Sequence, residues 1–124
     1  MQTLVIPGSL PGFNQLTEGH WSKQRKKKAE AVALVNWLVL AQKIKPVAGK
    51  ALVRIICYEP DKRRDPSNVR AGTEKVILDA LQNAGIIRND NWKWLSDTPA
   101  EVLLDRKNPR IEVTIQNIKE DGNE

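Results

Sequence analysis

Cysteine occurs once, at Cys57, and histidine once, at His20. A single thiol excludes an internal disulfide, and its apolar surroundings favour a buried thiol over a reactive one. One imidazole leaves no basis for a zinc site. Aromatic residues make up only 5% of the chain, and no uninterrupted apolar run approaches membrane-spanning length. No tract is repeated or of low complexity, and Met1 to Ile6 lacks a charged segment followed by an apolar signal core. A cytoplasmic protein without membrane contact is therefore the default expectation. At 124 residues the chain suffices for one core, yet is short enough that a second copy would help it bury apolar surface.

Positive charge is what the chain has in excess. Lys and Arg number 20 against 15 Asp and Glu, a net charge of +5 that favours an anionic partner. Lys23, Arg25, Lys26, Lys27 and Lys28 fall at the start of a long helix predicted to run to about Ile44, where positive charge opposes the helix dipole. Phosphate contact would favour that placement, and Lys62, Arg63 and Arg64 could supply a second set of contacts; a solvated basic turn is the plainer reading. Further along, Val32, Leu34, Val35, Trp37, Leu38, Val39 and Leu40 surround much of the same helix. Such a helix should be covered on more than one side, by its own sheet or by a second subunit.

Short strands are predicted at Leu4–Ile6, Ala51–Tyr58, Ala100–Leu104 and Arg110–Ile118. In the last, Ile111, Val113 and Ile115 alternate with Glu112, Thr114 and Gln116, the pattern of a sheet with one wet face. The expected architecture is a small α/β (α+β) domain over residues 1–118, with a mixed sheet packed by two main helices and a polar tail at 119–124.

The second of those helices, Asn68 to Ala84, sorts its residues by face. Val69, Thr73, Val76, Ile77, Ala80, Leu81 and Ala84 share an apolar side, while Asn68, Gly72, Lys75 and Asp79 line another. Ser67 or Asn68 suits the N-cap and Gly85 the C-terminal stop. Asp65 precedes the helix and Asp90 follows it through a short connection, so both are expected to return to one end of the polar stripe. Carboxylates there would suit magnesium, with manganese as a substitute; magnesium takes one or two protein carboxylates plus waters and a substrate phosphate. Asp65 and Asp90 are the expected ligands, with Asp79 a third, and Lys75 would stabilise charge at the phosphate. Taken singly, Asp65 also suits a turn, Lys75 with Asp79 a surface ion pair, and Asp90 a solvated turn.

Together, Arg63-Arg64-Asp65, Asn68, Lys75, Asp79-Ala80-Leu81, Ala84-Gly85 and Asn89-Asp90 resemble the RusA family of Holliday junction resolvases. The segment Ile6-Pro7-Gly8-Ser9-Leu10-Pro11-Gly12-Phe13-Asn14 is similar to that family's Pro-rich, Asn-ended opening. The resemblance implies a RusA-like fold and a homodimeric, magnesium-dependent endodeoxyribonuclease acting on four-way junction DNA in recombination and repair. It makes Asp65, Lys75 and Asp90 catalytic. Two departures weaken the ligand set, Ser67 where the family commonly has Asp and Asn89 for the first of its paired acids; Glu59 or Asp61 could compensate if the loop folds back. The alternatives are a catalytically impaired junction binder and a general basic nucleic-acid-binding module. Trp92 and Trp94, which flank Lys93, and Trp21 beside the lysine run could stack on bases or simply pack.

Overall fold

In the computed structural model, which describes residues 1–118, alternating burial fixes how the sheet meets the helices. The chain runs β1 (Gln2–Pro7), α1 (Phe13–Thr17), α2 (Trp21–Ala41), β2 (Ala51–Glu59), α3 (Pro66–Asn83), β3 (Leu95–Asp97), β4 (Glu101–Leu104) and β5 (Arg110–Asn117). Leu4 and Ile6 of β1, Ala51, Val53, Ile55 and Cys57 of β2, and Ile111, Val113 and Ile115 of β5 are buried, while the residues between them are partly or fully exposed. This one-sided pattern is the expected result of a period of two.

The five strands form one mixed sheet. β5 pairs antiparallel with β1 and β2, while β3 and β4 pair parallel with the start and end of β2. α3 is the crossover that lets the chain leave the end of β2 and re-enter the sheet in the same direction. Val35 and Val39 of α2, with Val69, Val76, Ile77, Ala80 and Leu81 of α3, pack in the same core as the inner strand residues. The protein is thus a small α+β domain. Among the described residues no helix is long and apolar enough to cross a membrane. The expected polar tail at 119–124 lies outside the described residues.

Several expectations are corrected in detail. α3 begins two residues earlier than Asn68, because Asp65 takes the extended N-cap conformation and Pro66 sits in the first turn, where its missing N–H is harmless. Gly85 ends the helix with a φ of 73°, as expected of a residue just past a C-cap. The short α1 and β3 were not foreseen. α2 is not enclosed by its own sheet: Leu34, Trp37 and Leu40 stay exposed, Trp37 at 63% and Leu40 at 77%.

Candidate nucleic-acid and metal site

Asp65 stands at the corner between the end of β2 and the start of α3. Its carbonyl accepts the Val69 N–H at 3.0 Å, but its exposed carboxylate makes no capping hydrogen bond. An N-terminal helix dipole stabilises negative charge here, and the carboxylate is left available to a cation. Lys62 and Arg63 are exposed in the same loop. Asp61 is used locally: it accepts the Arg63 N–H at 2.9 Å and pairs with Arg63 Nε at 3.5 Å.

Glu59 and Arg64 take a different part from the one expected. Glu59 continues the inward register of β2 and is buried, so its charge requires a partner. Arg64 supplies it through a two-pronged pair, Nε to Oε1 at 2.8 Å and Nη2 to Oε2 at 3.0 Å. Its Nη1 also donates to the Leu10 carbonyl at 2.9 Å. The guanidinium expected to contact phosphate is therefore occupied as a latch, and Glu59 is not a free compensating ligand.

That latch holds the Pro-rich N-terminal loop against α3. An added Cβ on Gly72 would lie 2.3 Å from the Pro11 carbonyl oxygen and 2.5 Å from the Gly12 carbonyl carbon. Gly72 is thus buried beneath the loop, although it belongs to the predicted polar stripe. Asn68 Oδ1 accepts the Asn14 N–H at 2.7 Å, so the oxygen of this side chain, which the resemblance places among the DNA contacts, fastens α1.

Halfway along α3, Asp79 joins two helices. Its Oδ2 lies 2.5 Å from Lys28 Nζ on α2 and 3.7 Å from Lys75 Nζ. A carboxylate already bracketed by two ammonium groups is a poor metal ligand, so Asp79 acts as an interhelical anchor. A groove of about 620 Å³ between α2 and α3 includes Arg25, Lys28, Asn36, Asp79 and Gln82 in its lining. Asn36 Oδ1 is buried there without a hydrogen-bond partner. Lys23, Lys26 and Lys27 stay exposed on the same helix, and Arg25 lies 5.5 Å from the Trp21 ring centre.

Asp90 is at the other end of the domain. The Trp94 and Leu95 N–H groups bond to the Asn91 carbonyl, and Leu95 pairs with Ala51, the first residue of β2. Asp65 instead follows Glu59, the last residue of that strand. At about 3.3 Å per residue, β2 puts roughly 26 Å between those two ends, and the two aspartates stand off opposite ends within one chain. The structure does not bring them to one end of the stripe. Lys75, ten positions beyond Asp65 on a helix, lies roughly 15 Å away along its axis. Asn89, which replaces an acid in the resembled pattern, folds the loop: its Oδ1 accepts the Asp90 and Asn91 N–H groups at 2.7 and 3.2 Å.

No family model matches the chain, and no curated protein matches it in sequence. The residues themselves must carry the functional reading.

Among the described residues no three His, Cys, Asp or Glu side chains converge into a metal cage. Magnesium does not need one, since one or two carboxylates with water and phosphate suffice. Asp65 and Asp90 fit that chemistry individually: both are exposed, and neither carboxylate is held in an ion pair among the described residues. Two groups away from the site show how the remaining charge is handled. Asp105 is held below the usual carboxylate range, chiefly by its hydrogen bond from Arg110. Burial pushes the Cys57 thiol up to about 11; the neighbouring Thr73 hydroxyl, itself without a partner of full hydrogen-bond geometry, offsets only part of that effect.

Sequence reasoning missed the Arg64–Glu59 latch and the seat at Gly72. The first left a signal, because Glu59 stands where the alternating pattern of β2 demands a buried residue. The second left none beyond a glycine inside a helix.

Proposed function

We propose that this protein is a magnesium-dependent, structure-selective endodeoxyribonuclease that resolves four-way DNA junctions as a homodimer, by paired symmetric nicks. The observation that carries the reading is the exposed, uncapped carboxylate of Asp65 at the start of α3, beside the cations of Lys62 and Arg63. The motif set around it, from Arg63 to Asp90, supports the same chemistry.

Because Asp65 and Asp90 stand off opposite ends of β2 in one chain, a two-carboxylate site needs Asp65 of one protomer and Asp90 of a second. These residues would hold the magnesium, which when bound polarises the phosphoryl oxygen and favours ionisation of a coordinated water. Two such sites in a two-fold dimer match the near two-fold symmetry of a four-way junction. The exposed Leu34, Trp37 and Leu40 provide apolar surface that such a dimer would bury. Lys62 and Arg63 neutralise phosphates beside Asp65, and Lys23, Arg25, Lys26 and Lys27 extend the contact along α2, whereas Lys28, expected among them, is spent on Asp79. Lys75, farther along α3, neutralises a flanking phosphate.

A second reading, a junction binder without catalysis, is favoured by one observation: the side chain at position 89 is a neutral amide spent on folding its loop. A four-way junction assay separates the two, with native gels for binding and denaturing gels for nicks, with and without magnesium or manganese. Symmetric, metal-dependent nicks that Asp65→Asn abolishes while still binding the junction support the nuclease. Tight binding with no nicks under any metal supports the binder.

A further inference from the structure

We infer that Trp92 stacks on a base unstacked at the branch point of the junction, an inference that rests on the proposed action on four-way DNA. Trp92 is 91% exposed. The other three tryptophans are engaged or grouped. Trp21 lies beside His20 and Arg25, Trp37 shares an apolar stripe with Leu34 and Leu40, and Trp94 lies between Arg88 at 4.8 Å and Lys93 at 5.0 Å from its ring centre. Among the described residues, no ring or cation contacts Trp92.

The loop that carries it is already folded. Asn89 accepts two backbone N–H groups, Asn91 accepts the Lys93 N–H at 3.0 Å, and the Trp94 N–H returns to the Asn91 carbonyl. An indole on a preordered support loses little conformational freedom on binding. Its neighbours Arg88 and Lys93 bring positive charge to the same loop, as an anionic strand requires. Asp90, two residues earlier, is on the same loop and supplies a carboxylate that the proposed reaction needs at the phosphodiester. A duplex keeps its bases stacked, whereas a branch point exposes the faces of bases, which an aromatic ring can cover regardless of sequence.

The test is fluorescence anisotropy at one fixed salt concentration in EDTA, using a labelled four-way junction and a linear duplex, with wild type, Trp92→Ala and Trp92→Phe. Thermal unfolding and oligomeric state are measured on the same samples. The expected result is junction binding about tenfold weaker for Trp92→Ala, with duplex binding unchanged, and Trp92→Phe within about threefold of wild type. Stability and assembly should not change. Junction binding by Trp92→Ala equal to wild type would overturn the inference alone. Equal weakening on junction and duplex, or loss of the dimer, would overturn it in favour of a general contact or a packing role. No junction preference in wild type would overturn both this inference and the function on which it rests.

Discussion

Arg64 spans the buried carboxylate of Glu59 with two hydrogen bonds, at 2.8 and 3.0 Å, and reaches on to the Leu10 carbonyl. This one side chain ties the end of β2 to the N-terminal loop and fixes the corner at which Asp65 stands. Arg64→Ala should destabilise the fold by about 2–3 kcal/mol, less than a fully orphaned buried charge, because Arg64 keeps some contact with water. Arg64→Lys should recover little of it, since an ammonium cannot reproduce the planar fork. Denaturant unfolding checks both; an unchanged midpoint would show that Glu59 finds another partner.

Gly72→Ala should also destabilise, against the usual preference of a helix interior for alanine. The new methyl would meet backbone atoms of residues 11–13 at 2.3 to 2.6 Å, and those cannot rotate away. Loop displacement at about 1–3 kcal/mol outweighs a helix-propensity gain of about 1 kcal/mol. Thermal unfolding of the variant decides the sign.

Both residues show what was legible beforehand and what was not. The inward registers of β2 and β5 and the buried side of α3 follow from periodicity, which local chemistry enforces. The uses of Arg64, Asn68 and Gly72 depend on where a loop more than fifty positions away comes to rest, and no spacing within α3 reveals that. The separation of Asp65 from Asp90 was hidden for a related reason. Their proximity in the sequence suggests a shared end, but the parallel pairing of β3 with β2 carries Asp90 to the opposite one. α2 was legible in extent, and its unusual exposed face emerged only once the sheet was seen to cover one side.

Cys57 should be silent towards thiol reagents at pH 8 in the native protein and react stoichiometrically once unfolded. Burial raises its thiol from 9.0 to about 11, so folding favours the neutral form. The stability this contributes is complete below the unfolded value and is lost as pH rises from about 9 towards 11. Rapid native labelling would contradict the buried assignment.

Asp105 predicts the opposite pH behaviour. Its folded carboxyl is depressed, first by the hydrogen bond from Arg110 and then by the Asn108 N–H. The contribution is present above the ordinary carboxylate value and is lost as pH falls through the folded one. Arg110→Gln should raise the Asp105 titration towards its ordinary range and make acid unfolding begin at higher pH. Carboxyl-carbon NMR titration of wild type and variant follows the group directly.

The most direct test of the shared site is a mixing experiment on the four-way junction in magnesium, comparing wild type, Asp65→Asn, Asp90→Asn and dimers formed from the two variants together. In a mixed dimer, one site receives both substitutions and the other receives none. The account predicts nicking by wild type, silence from each variant alone, and recovered nicking from the mixed dimers. Active wild type with mixed dimers as silent as the single variants would contradict a site built from two chains, and junction-bound wild type that makes no nicks would contradict the nuclease itself.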